Sequence, residues 1–397
     1  MTLKYHLKYR WIILSLCWAL AFISYSLVFS SSPLLGEISK DLMMSGVEKG
    51  LILGTPSLMF VCFSIIGGIL ADTIGLRGTV LGFAFLMVFS SVLRAISFNF
   101  ASFFLFSALM SVGIAVVTTN LPKIATAWFG TKEMGLATSI YLSGAGIGNI
   151  VILATEVPII FAATGTWQAV FVTYGSIGII VVLLWIFLSR NPETYEHSTK
   201  TTKVRLSQII QALYNKDLLL LSIYMICNNI IVYGVSAFLP LILEYEGFSP
   251  SYASLLTSTV FMGTFMMSLL VPMISAKIGL RRPFLLIAGV LLGTVVLAIG
   301  VTPKTPAFLP VFIGGCTGTQ FSLSFVLPTE LVDRRYIGTA MGASLSIAYI
   351  GGAIGPVVTG YFRDLTGGFM VPLVLASVTM MVGSLLILFM KETGRKR

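Results

Sequence analysis

Gly68-Ile69-Leu70-Ala71-Asp72-Thr73-Ile74-Gly75-Leu76-Arg77 returns, altered, as Pro272-Met273-Ile274-Ser275-Ala276-Lys277-Ile278-Gly279-Leu280-Arg281-Arg282. Ile-Gly-Leu-Arg stands in both copies, 204 positions apart, and each copy closes a long apolar run. A second match, Asn120-Leu121-Pro122 against Val326-Leu327-Pro328, falls at an offset of 206. Two coincidences at nearly one offset indicate that the chain is a duplication.

The surrounding composition says what is duplicated. Of 397 residues, 56% are hydrophobic and 10% charged. A water-soluble chain of this length needs far more charge to cover its surface. Apolar runs recur at about 11–35, 50–71, 79–98, 102–124, 135–158, 167–189, 218–243, 252–275, 284–302, 307–328, 337–361 and 369–390. Each approaches or exceeds the ~20 residues that span a hydrocarbon core as a helix. The expectation is therefore an all-α membrane protein with twelve transmembrane helices in two six-helix pseudo-repeats.

A net charge of +10 could mark a nucleic-acid partner, but its distribution excludes one. Of the 25 Lys and Arg residues, all but Lys40, Lys49, Arg94, Lys304 and Arg363 fall on the side that carries both chain ends. Short loops rich in Lys and Arg stay cytoplasmic, so both termini are expected there. The chain divides as 1–190, a six-helix bundle; 191–216, a polar linker; and 217–397, a second six-helix bundle. In the linker Leu206, Ile209, Ile210 and Leu213 recur at helical spacing, which suits either a short amphipathic helix on the membrane surface or a solvated linker. Cys17, Cys62, Cys227 and Cys316 all lie in apolar runs without metal-like spacing, so neither a disulfide nor a metal site is expected. The first run follows Lys4, Lys8 and Arg10 as a signal peptide would, but its length suits a retained helix.

Gly68 to Arg77 resembles the loop between helices two and three of the major facilitator superfamily, which reads roughly G-x-L-A-D-x-x-G-x-R. Twelve spans, a central linker and a repeat extend the resemblance over the whole chain. It implies the major facilitator fold, alternating access, and a gating role for Gly68, Asp72, Gly75, Arg77, Gly279 and Arg281. Gly68 would let two helices approach closely, Gly75 would permit a turn at positive φ, and Asp72 and Arg77 would latch onto a neighbouring helix end. Ala276 stands where the second copy would carry Asp, so a weaker or missing latch is expected there. Gly113-Ile114-Ala115, Trp128-Phe129 and Gly144-Ala145-Gly146-Ile147-Gly148 are similar to the cyanate, nitrate and monocarboxylate branch. The helix-four arginine of proton-coupled members is absent, with Ser107, Ala108 and Ser111 in its neighbourhood.

Ionisable groups within membrane spans usually mark a substrate path, and none lies near the middle of a span here. Arg94 and Glu156, near outer ends, either pair across the outer mouth or snorkel to headgroups. Neutral polar groups are left to bind a solute: Tyr25, Asn120, Tyr141, Asn149, Asn228, Asn229, Tyr233, Gln320, Ser324 and Tyr349. Asn229, Tyr233 and Ser236 share one helical face, as do Thr317, Gln320 and Ser324. The resemblance places helices one, four, seven and ten around the cavity. Such groups also serve as interhelical hydrogen-bond glue, and for Tyr25 and Tyr349 packing is an equal reading. An enzyme would need an intramembrane base or metal ligand, and no His lies within a span.

The expected function is transport of a small polar solute across the cytoplasmic membrane by a chain acting as a monomer. A small monocarboxylate or inorganic anion is favoured, because no Lys or Arg stands mid-span to hold a dianion. A neutral sugar, amino acid or drug-like solute is the alternative. The partners are the solute and the bilayer, without cofactor or nucleic acid, and coupling to a proton or a counter-transported solute stays open.

Overall fold

A computed structural model describes residues 2–190, 215–332 and 337–394, with 2–8, 130–132 and 337–339 as backbone only. Hydrocarbon offers no water to backbone N–H and C=O groups, so each apolar run closes its hydrogen bonds on itself as a helix. Among the described residues, twelve helices of membrane length result. They are α1 (Tyr9–Phe29), α2 (Gly46–Ile74), α3 (Leu76–Ile96), α4 (Phe100–Phe129), α5 (Glu133–Thr164) and α6 (Trp167–Leu188). The remainder are α7 (Lys216–Ser236), α8 (Pro250–Ile278), α9 (Arg282–Val301), α10 (Leu309–Leu331), α11 (Ala340–Thr366) and α12 (Met370–Phe389). The described residues include no strand. The polar linker and its amphipathic pattern lie outside the described residues as far as residue 214.

The first helix ends at Phe29, short of the expected residue 35, and a separate short helix covers Leu35–Asp41. Ser30-Ser31-Ser32-Pro33 lies between them, and a proline ring there obstructs continuation of the helix before it.

Contacts sort the chain into two compact units: Met1–Met43 with Met59–Thr202, and Met44–Leu58 with Lys203–Arg397. The first part of α2 therefore groups with the second unit. Its N-terminus is closed by a capping box, in which Ser45 N donates to Glu48 Oε2 at 2.7 Å and Glu48 N to Ser45 Oγ at 3.2 Å. Asp364 of α11 also accepts from Gly46 N at 2.6 Å and Val47 N at 3.3 Å. Below this cap, glycines bring α2 against α11. A Cβ on Gly46, Gly50 or Gly54 would stand 2.5, 2.3 or 2.7 Å from the carbonyl oxygen of Gly360, Pro356 or Ala353, respectively.

In the first unit the face marked by Gly144 and Gly148 packs on α1. A Cβ there would meet the carbonyl oxygens of Trp18 at 2.5 Å and Phe22 at 2.3 Å. Ser26 Oγ adds a bond to the Gly148 carbonyl at 3.0 Å. Close approach of two backbones is what small residues permit where apolar lipid removes any hydrophobic drive to associate.

Two segments adopt the wider π form, Glu156–Phe161 in α5 and Ile230–Ser236 in α7. Pro158 accounts for the first: it has no N–H to give, and its ring crowds the carbonyl four residues back. π segments inside α-helices recur at functional sites, and hydropathy alone did not signal either one.

Candidate functional site

The α2–α3 turn is tied to two neighbouring helices by charged side chains. Gly75 has φ 96° and Gly279, its counterpart, φ 73°, the region that favours glycine. Arg77 reaches the end of α6, donating to the Ile186 carbonyl at 2.8 Å and Ser189 Oγ at 2.9 Å. That is a cation on a helix C-terminus, where the backbone carbonyls lack partners. Asp72 accepts from Lys123 Nζ at 2.7 Å, and Lys123 also donates to the Gly68 carbonyl at 2.8 Å. The Asp72–Lys123 pair was not anticipated, although the Lys after Asn120-Leu121-Pro122 was its visible signal. Close approach of α2 to α4 falls one residue before the expected Gly68. A Cβ on Gly67 would be 2.9 Å from Val116 Cα, whereas one on Gly68 would make ordinary contact with Lys123 at 3.7 Å.

The second copy corrects an expectation. Its latch is present, with the charges exchanged: Arg281 on the turn pairs with Glu330 at the end of α10 at 3.1 Å. The lost Asp at Ala276 is offset because an acid on α10 faces a base on the loop. Glu392 accepts from the backbone N–H groups of Arg281 at 2.7 Å and Arg282 at 3.2 Å. Arg282 donates to the Met390 carbonyl at 3.3 Å, repeating at the end of α12 what Arg77 does at α6.

The neutral polar residues divide by whether their hydrogen bonds are already used. In the first unit the Asn120 amide nitrogen is committed, donating to the carbonyls of Gly67 at 3.0 Å and Val116 at 2.9 Å and tying α4 to α2, while its Oδ1 is unpartnered. Trp18 donates to Ser143 Oγ at 3.1 Å and stacks on Phe22, so part of the α1 aromatic stripe packs on α5. Tyr25 is half-buried, while Tyr141 and Asn149 are buried on α5, with Asn149 Oδ1 unpartnered.

In the second unit Asn228 is buried with Oδ1 unpartnered and Asn229 is half-buried. Tyr233 and Tyr349 lie with ring centres 6.1 Å apart, and a Cβ on Gly352 would touch the Tyr233 ring at 2.7 Å. Gln320 is 1% exposed, and neither of its amide atoms has a hydrogen-bond partner. The hydroxyls around it are engaged. Ser324 Oγ donates to the Gln320 backbone carbonyl at 2.7 Å, Thr319 to Gly315 at 2.9 Å, and Thr317 Oγ1 lies 3.0 Å from Thr264 Oγ1. Tyr224, beside Gln320, gives its proton to the Leu285 carbonyl, which leaves its oxygen facing the amide as an acceptor.

Arg94 and Glu156 do not snorkel. Both are fully buried in the first unit, close enough to share a field but without a direct ion pair.

Among the described residues, twelve helices of membrane length and a charged clasp at each repeated turn make up a polytopic membrane protein built as a repeat. The model of the Major Facilitator Superfamily matches residues 17–356 and 221–397, and the chain belongs to that family. It is a multi-pass membrane transporter, not an enzyme. An uncharacterised transporter of Bacillus subtilis (strain 168), YycB, is 26% identical over 368 residues, covering 91% of this chain and 89% of that one. The hexuronate transporter of the same organism is 24% identical, over 84% of this chain and 83% of that one. The crystal structure of a D-xylose-proton symporter superposes with a TM-score of 0.80 at 13% identity, covering 98% and 99% of the two chains.

Proposed function

We propose that this carrier moves a small, singly charged organic acid bearing hydroxyl groups across the cytoplasmic membrane by alternating access, with both termini in the cytoplasm. The observation that carries the reading is Gln320, a buried amide that makes no hydrogen bond of ordinary geometry within the protein and has the Tyr224 hydroxyl beside it. Natural proteins rarely leave such groups unsatisfied, because each costs desolvation free energy with no return. An amide offers two N–H donors and a carbonyl acceptor, so one side chain can hold a carboxylate by one end and a hydroxyl by the other. Asn228 in the same unit and Asn149 in the first unit each leave a carbonyl acceptor, Oδ1, unpartnered, which suits a solute hydroxyl. Tyr25, Tyr141, Asn229, Tyr233, Ser324 and Tyr349 complete the proposed set, and Asn120 supports it by holding α4.

Likeness to a hexuronate transporter favours a sugar acid, which carries one carboxylate and several hydroxyls. The clasps at Asp72, Lys123 and Arg77, and at Arg281 and Glu330, are proposed to set how readily each unit's helix ends part during the cycle.

Counterflow in proteoliposomes tests the reading with D-glucuronate and D-glucose as probes. Saturable counterflow of glucuronate with none of glucose is expected. Equal or greater counterflow of glucose would assign a neutral solute, and counterflow of neither would remove the sugar-acid class.

A further inference from the structure

Arg94 and Glu156 have no part in the clasps or the amide set. The Arg94 guanidinium donates to Ser30 Oγ at 2.9 Å, Ser31 Oγ at 3.2 Å and Ser91 Oγ at 3.1 Å. Its central carbon lies 4.1 Å from the Phe171 ring centre and 5.9 Å from that of Phe103. Its charge is therefore met by hydroxyl oxygens and ring faces, and only Nε lacks a partner. Glu156 is 0% exposed, and neither of its carboxyl oxygens receives a hydrogen bond. An ionised carboxylate taken out of water needs hydrogen bonds or a direct counter-charge. Glu156 has neither, although a cation stands nearby with a free N–H.

We infer that Glu156 is a proton-binding site. In the arrangement seen here its carboxyl carries the proton. It becomes a carboxylate by swinging onto the free Nε–H of Arg94, when the O–H bond breaks, the proton leaves to water, and the guanidinium meets the new negative charge. The reverse movement takes a proton up again. Glu156 opens the π segment whose regular bonding Pro158 interrupts, a backbone form that recurs at functional sites. Among the described residues, the ionisable groups on its own helix and its neighbours are these. Tyr174 on α6 lies 2.6 Å from Thr155 Oγ1. On α5, Tyr141 and the Arg10-bound Glu133 are about four turns or more away. Tyr25 is the nearest ionisable group along α1, and Asp41 accepts from Trp167 Nε1 beyond the aromatic wall.

As a coupling site Glu156 rests on the carrier reading above, but its detection needs no substrate. Infrared spectra of the full-length protein in detergent, with glutamates carbon-13 labelled at the side-chain carboxyl, should show a protonated glutamic-acid C=O band at neutral pH. The band should be missing from Glu156→Gln and retained in Glu133→Gln. A labelled wild type without the band overturns the inference whether or not a variant folds, and so does an undiminished band in folded Glu156→Gln. A failed uptake screen would leave this result standing, and a missing band would leave the carrier reading standing.

Discussion

Replacing Gln320 with Met should make the substrate-free protein more stable and the carrier worse. The side chains are similar in length and flexibility, so packing changes little. What is removed is a pair of buried amide atoms that make no hydrogen bond of ordinary geometry, beside a Tyr224 hydroxyl whose proton goes to the Leu285 carbonyl. A buried unsatisfied group costs about 1–3 kcal/mol. Taking the lower figure for each of the two atoms, relief is about 2 kcal/mol, roughly a thirtyfold gain in the folding equilibrium. The same change deletes the bonds a ligand would receive. At about 0.5–1.5 kcal/mol for each neutral bond and more to a carboxylate, KM should rise on the order of tenfold or more. Thermal unfolding in detergent, with and without ligand, reads both effects. The apo midpoint should rise and the ligand-induced shift should vanish. An apo midpoint that falls by several degrees would refute the reasoning, since it would mean the amide is satisfied within the protein.

Gly148→Ala places a methyl 2.3 Å from the Phe22 carbonyl and should cost about 1–3 kcal/mol. Gly82→Ala, with nothing within 4 Å, should be neutral or stabilising by up to about 1 kcal/mol, and equal melting of the two would remove the α1–α5 seam. Asp72→Asn breaks a pair whose side chains are 32% and 31% exposed, so stability should fall by less than about 1 kcal/mol. Its effect should instead be faster maleimide labelling of a cysteine placed near Lys123 in a background lacking the native cysteines, restored by the swap Asp72→Lys with Lys123→Asp. In the second unit Glu330→Gln should speed labelling near Arg281 in the same way, and an unchanged rate would mean the exchanged latch is idle. Asp364→Ala removes the acceptor for Gly46 N and Val47 N and should lower stability by about 1 kcal/mol, seen as an earlier melt of the purified protein.

Much of this molecule was readable from its chain. Apolar runs of membrane length leave the backbone no hydrogen-bond partners but its own, so helix type and number follow from hydropathy. Ile-Gly-Leu-Arg, repeated, located both turns, since a glycine at positive φ between helices is a local demand. What the chain left undecided is where each polar side chain finds its partner. Asn120 and Gln320 look alike in sequence, each a polar residue in an apolar helix, yet Asn120 bonds the Gly67 carbonyl at full strength and Gln320 makes no hydrogen bond of ordinary geometry. Ala276 suggested a missing latch because the compensating acid, Glu330, stands 49 residues from Arg281. Arg94 had the composition of a snorkelling residue, but serines from the turn after α1 and from its own helix α3, with rings from α4 and α6, enclose it. Hydropathy and turn chemistry act over a few neighbouring residues, whereas the cost of burying an amide or a charge depends on groups delivered by distant helices, and only the packed chain brings those together.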